Sequence, residues 1–169
     1  MNALSKTSIL ASLLLCTSVQ SAPPDPAAAR MIGELAHYTT FRKSNSEIHA
    51  HVSKYCVLLA NHANASGTDS EYECPGKSSI KSIRLITSDN APEHYVRTLK
   101  ITFAKKDVGT VIQLAKKQLG KPKARGRDFI SWAYHGDPAL LTHGTPYISV
   151  VHDRVDSLAF FSLGLSGSR

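Results

Sequence analysis

Two cysteines, Cys56 and Cys74, stand equidistant from residue 65, and the chain around that midpoint, Asn61 to Ser70, is polar and rich in turn formers. A disulfide between them would close a loop of roughly 19 residues and contribute about 3 kcal/mol by the chain-entropy model. A long hairpin clamped at its open end is the simplest structure that uses such a bond. The bond requires an oxidising compartment.

The sequence carries its own argument for that compartment. Residues 1–21 read as a secretory leader. Lys6 is the positive start, Ile9 to Cys16 is an apolar run of eight residues, and Val19-Gln20-Ser21 precedes the expected cut. A run of eight residues is too short for a bilayer span, which takes about 20. The third cysteine, Cys16, falls inside this leader. A lipoprotein site there would want a small residue before the cysteine, where the chain has the bulky Leu15. The expectation is therefore an exported protein, periplasmic or extracellular, with a mature domain over 22–163 and a flexible tail over 164–169. An Asn64-Ala65-Ser66 sequon has meaning only in a host that glycosylates its secreted proteins.

At 169 residues, with 42% hydrophobic and 20% charged residues, the chain has the composition of one folded domain. It excludes a disordered chain, a collagen-like repeat and a polytopic membrane protein. The expected class is α+β, mainly an antiparallel sheet with helices on one face. Pro26 at a first helical position, after Asp25 as a cap, suggests a short helix over 26–36. Ser44 and Glu47 match a capping box, yet His49 and His51 alternate with apolar neighbours before Tyr55 to Leu59, which favours a strand there. Ile80 to Ile86 and Tyr95 to Phe103 read as an antiparallel pair across the turn-rich Ser88 to Pro92. Asp107 is expected to cap an amphipathic helix over 108–119, whose face is Val108, Val111, Ile112, Ala115 and Leu119. Gly120 and Pro122 end it. Further strands are expected over Asp128 to Tyr134, Pro146 to His152 and Ser157 to Leu163, the last two joined across 153–156. Strict alternation puts Ile130, Trp132 and Tyr134 opposite Phe129, and turns one ring of Phe160-Phe161 away from the other.

The formal charge of +7 is unevenly spread. Residues 116–127 hold six cations and no acid: Lys116, Lys117, Lys121, Lys123, Arg125 and Arg127. Removing Lys6 with the leader leaves +6, so the rest of the mature chain balances. Such a segment suits an acidic protein partner, whose approach it would steer. Nucleic acid is not expected for an exported chain whose basic run lacks interleaved aromatics.

Two other groups of residues have chemistry-bearing types. His135, Asp137, His143 and His152 cluster near the last strands and are raw material for acid–base catalysis in an exported hydrolase, although Gly-Asp-Pro and Gly-Thr-Pro are also turn sequences. His49 and His51, on a strand, would share a face and could begin a metal site, with His37, His62 or His94 as a third ligand. No nucleophile elbow, phosphate loop, dinucleotide fingerprint or His-Glu-x-x-His occurs, so no cofactor is expected. The reading that follows is a non-catalytic exported binding protein, an inhibitor or immunity-type partner of a toxin or lytic enzyme in the envelope.

Overall fold

The computed structural model describes residues 26–75, 79–89, 93–152 and 157–167. The leader with Cys16, the Asp25 cap, Asn90 to Pro92, the connection at 153–156 and the last two residues lie outside them. Eight strands form one antiparallel sheet in the order β1-β2-β3-β4-β8-β7-β6-β5. They are β1 (Val57–Asn64), β2 (Gly67–Glu73), β3 (Ile80–Ser88), β4 (Tyr95–Ala104), β5 (Ala124–Arg125), β6 (Phe129–Trp132), β7 (Thr145–His152) and β8 (Leu158–Ser166). The helices are α1 (Pro26–Leu35), α2 (Asn45–Val52) and α3 (Val108–Leu119), and α1 packs on α3. The class is α+β, as expected.

Two runs of side chains explain why this sheet closes over its helices. Leu85, Leu99, Leu163, Ile148 and Trp132 stand directly opposite one another across five strands. Tyr72, Ile83, Ile101, Phe161, Val150 and Ile130 do the same across six. All eleven are buried, because alternation puts every second residue of each strand on one face. The helices lay Met31, Ile32, Leu35, Ile48, Val52, Val111, Ala115 and Leu119 into the same core. Aligned neighbours on the other face include Glu71, Arg84, Lys100, Ser162, Ser149 and Ser131.

The topology is two four-stranded meanders. After β4 the chain crosses by α3 to the far edge and returns through β5, β6 and β7, so that β8 seats beside β4. In the first meander Cys56 and Cys74 are disulfide-bonded, flanking the β1–β2 hairpin whose turn is Ala65-Ser66. Gly67 completes the turn at φ +142°, and a Cβ there would meet the carbonyl oxygen of Thr87.

Several boundaries differ from the sequence reading. Residues 45–52 are helix, and the strand starts only at Val57. The capping box forms: Ser44 N–H donates to Glu47 Oε2 at 2.7 Å, and Glu47 N–H donates back to Ser44 Oγ. The bonds that the Ser44 N–H and then the Ser44 hydroxyl donate to the Glu47 carboxylate hold that carboxyl below its usual range. With Ile48 and Val52 buried at helical spacing, the local caps outweigh the two-residue alternation of His49 and His51.

Asp107 is the residue before α3 but makes no side-chain cap. The chain enters through a 3-10 turn over Lys105–Asp107, so Asp107 is already helical, whereas a capping side chain needs an extended residue. Its Oδ2 is buried without a hydrogen-bond partner among the described residues. The strand expected over 128–134 is shorter, Phe129–Trp132, while β8 runs on to Ser166. The expected tail therefore begins inside a strand: Thr145 pairs with Ser166, and Leu165 is buried.

Leu99→Ala should lower stability in urea unfolding by about 2–5 kcal/mol, while Ser149→Ala on the opposite face should stay within about 0.5 kcal/mol. Replacing both disulfide cysteines by serine should cost about 2–5 kcal/mol by the same measurement.

Candidate functional site

The basic segment begins where α3 must stop. Gly120 turns the chain at φ +77°, in the left-handed region that favours glycine, and its N–H donates to Lys116 O. Two aromatic side chains then tie this helix end to β6. Trp132 Nε1–H donates to Gly120 O at 3.0 Å. The Tyr38 hydroxyl lies 3.1 Å from Leu119 O and 3.2 Å from Ala133 O, so one proton serves two carbonyls. Burial pushes the Tyr38 phenol above its ordinary pKa, which keeps it a donor.

Beyond this anchor the chain passes Lys121-Pro122-Lys123 into β5 and reverses at Arg127-Asp128. Gly126 N–H donates to Phe129 O at 2.9 Å, which makes a two-residue hairpin. A Cβ at Gly126 would stand 2.3 Å from the Phe129 ring, so a larger residue there would have to displace that exposed side chain. Lys117, Lys121, Lys123, Arg125 and Arg127 are exposed and Lys116 is half-buried. Lys116, Lys121 and Arg125 line a 650 Å³ groove together with Gly120, Pro122 and Ile130. It has cations at its rim and apolar side chains in its lining.

None of the six cations forms an ion pair among the described residues. Other arginines do: Arg42 meets Asp137 at 2.6 Å and Arg84 meets Asp69 at 3.0 Å. On the sheet face away from the helices, Phe129 is 42% exposed and stands opposite Val151, 37% exposed, which in turn stands opposite Phe160. Lys100 Nζ lies 4.1 Å above the Phe160 ring. The basic segment thus borders an apolar strip. The sequence reading located the cations but not Tyr38, which is about 80 residues upstream and has no local signal.

The four residues considered for catalysis have separate partners. His135 meets the Tyr38 ring edge-on at 6.0 Å. Asp137 accepts from Ala139 N–H at the start of a 3-10 turn, Pro138–Thr142, and from the Arg42 guanidinium. The Arg42 hydrogen bond, then that of Ala139, holds the Asp137 carboxyl below its usual range. His143 stacks on Tyr95 at 4.5 Å, with its Nε2 2.7 Å from Glu93 Oε2. His152 ends β7 opposite Ala159. Of the four, only His143 lines the 610 Å³ cleft it shares with Ser66, Ser88, Tyr95, Arg97 and Ser166.

His49 and His51 lie on α2 rather than on a strand, and two residues of helix turn about 200°, so they do not share a face. His49 Nδ1 is 3.3 Å from the Tyr72 hydroxyl; His51 Nδ1 is 3.4 Å from Glu34 Oε2, without hydrogen-bond geometry. Among the described residues no three His, Cys, Asp or Glu side chains are grouped to hold a metal ion. Nor is any helix among them long and apolar enough to cross a membrane.

Comparison of the chain with models of protein families, with curated proteins and with solved structures finds no match in any of the three.

Tyr38→Phe should strip a shared donor from two carbonyls, lower stability by about 1–3 kcal/mol and speed amide exchange over residues 120–123. Because the folded pKa of Asp137 is depressed, its contribution is present above the unfolded value of about 3.9 and is lost as pH falls through the lower folded value. Arg42→Met should raise the Asp137 pKa in an NMR titration and shrink that acid-sensitive component.

Proposed function

We propose that the chain is an exported, non-catalytic binding protein that holds an acidic partner protein at the end of α3 and the β5 edge. The role that fits best is an inhibitor or immunity-type cap on a toxin or lytic enzyme in the cell envelope. The observation that carries the reading is the set of six cations in twelve residues, mounted on a tied helix end and lacking any described carboxylate partner. Cations without an ion pair among the described residues produce a local positive field, and such a field speeds and orients the approach of an acidic surface. The neighbouring Phe129 and Val151 supply the apolar area that a charged rim by itself lacks.

The test places a photo-crosslinking residue at Lys123 and exposes the protein to its own envelope fraction. A captured protein should be acidic on its contacting face. Its capture should be abolished by the combined charge reversal Lys121→Glu, Lys123→Glu, Arg125→Glu and Arg127→Glu. Raising salt from about 0.1 M to about 1 M shortens the screening length from about 10 Å to about 3 Å, and the association rate should fall with it. Capture that is indifferent to both charge and salt would overturn the proposal.

A further inference from the structure

The six cations are arranged for more than a net charge. Lys121, Lys123, Arg125 and Arg127 occupy every second position. Every second residue of an extended chain shares a face, so this is the spacing of a strand. Of these only Arg125 lies in β5: Arg127 is in the hairpin turn, and Lys121 and Lys123 are at bends before the strand, where Lys123 N–H donates to Ser131 O. Arg125 stands directly opposite Ile130, whose side chain is buried under the helices. Directly opposite residues point to the same side, so Arg125 leans toward Lys116 at the end of α3. That agrees with the groove, which Lys116, Lys121 and Arg125 line together. Ala124, opposite Ser131, puts only a methyl group on the other face.

β5 is also the last strand of the sheet. The bonded pair Gly126–Phe129 sets the phase of its ladder. In an antiparallel ladder bonded and non-bonded pairs alternate, so the N–H and C=O of Arg125 face away from β6. Among the described residues nothing covers this edge; unpaired main-chain groups template another strand, while the shortness of β5 and the cations around it guard against a second basic edge and select against a neutral one.

We propose that this edge takes an extended acidic segment of the partner protein as a ninth strand, with carboxylates at alternate positions facing Lys121, Arg125 and Lys116. The inference rests on the acidic-partner reading above and adds the conformation and spacing of what is bound. Main-chain hydrogen bonds to Arg125 would supply affinity, and the alternate carboxylates register and specificity. Ile130 and Pro122 give an apolar side chain of the segment a place to rest.

Defined peptides test it on the full mature chain. One is a heptapeptide alternating glutamate and threonine. The second has the same composition with its glutamates in one block, and the third is the alternating peptide N-methylated at the amide that would pair with Arg125. Binding is read from the fluorescence of Trp132, the chain's single tryptophan, whose indole bonds the groove residue Gly120. The alternating peptide should bind at least about tenfold tighter than either other peptide, a difference of about 1.4 kcal/mol, and should protect the Arg125 amide from exchange. Equal binding of the alternating and block peptides, equal binding of the N-methylated one, or no binding at all overturns strand addition. The acidic-partner reading is judged separately, by the charge-reversed protein in the crosslinking experiment. Crosslinks lost on reversal, with no peptide preference, would leave that reading standing and this one refuted.

Discussion

The pairing of β4 with β8 is the contact on which the remaining architecture depends. Each belongs to a different meander, and their register sets Leu99 opposite Leu163 and Ile101 opposite Phe161. Through those pairs the two buried rows run unbroken from one half of the chain to the other. A slip of one residue would turn every one of these side chains to the opposite face. The helices could then no longer be covered, since α1 and α3 pack on that single apolar face. The join is long-range in sequence, between strands separated by α3, β5, β6 and β7.

That crossing has a consequence for the basic segment. α3 delivers the chain to the far edge of the sheet, and Gly120, Trp132 and Tyr38 fix where the helix ends. The cations follow immediately, around a strand that among the described residues has a neighbour on one side only. The two edges of the sheet are consequently unlike. β1 is eight residues long with no Lys, Arg, Asp or Glu and has the disulfide at its start, while β5 is two residues long inside a run of positive charge. Any strand meeting the molecule from outside would encounter two chemically different borders.

Much of this was legible from residue order. The helix over 108–119 was visible because its apolar positions repeat at helical spacing and Gly120 stops it. The disulfide hairpin was visible because its cysteines flank a polar turn symmetrically. Residues 45–52 show where such reading fails: a capping box and a strand-like alternation coexist, and only the burial of Ile48 and Val52 decides for helix. The capping role expected of Asp107 failed for a related reason, since a 3-10 entry changed its backbone before its side chain could act. β8 runs past its expected end because Gly164 and Ser166, which look like tail residues, find partners in Tyr147 and Thr145 of β7.

By itself the sequence determined the α+β class, the disulfide pairing, the amphipathic helix and the concentration of positive charge in residues 116–127. These are local or compositional properties, set by spacing, capping and counting. Only the tertiary structure decided that β8 pairs with β4, that Tyr38 and Trp132 anchor the basic segment, and that His135, Asp137, His143 and His152 have separate partners. It also decided that Arg125 lies on an edge rather than within the sheet. Each of these joins residues distant in sequence, and strand order is set by which buried faces fit together, a property that no local stretch of chain carries.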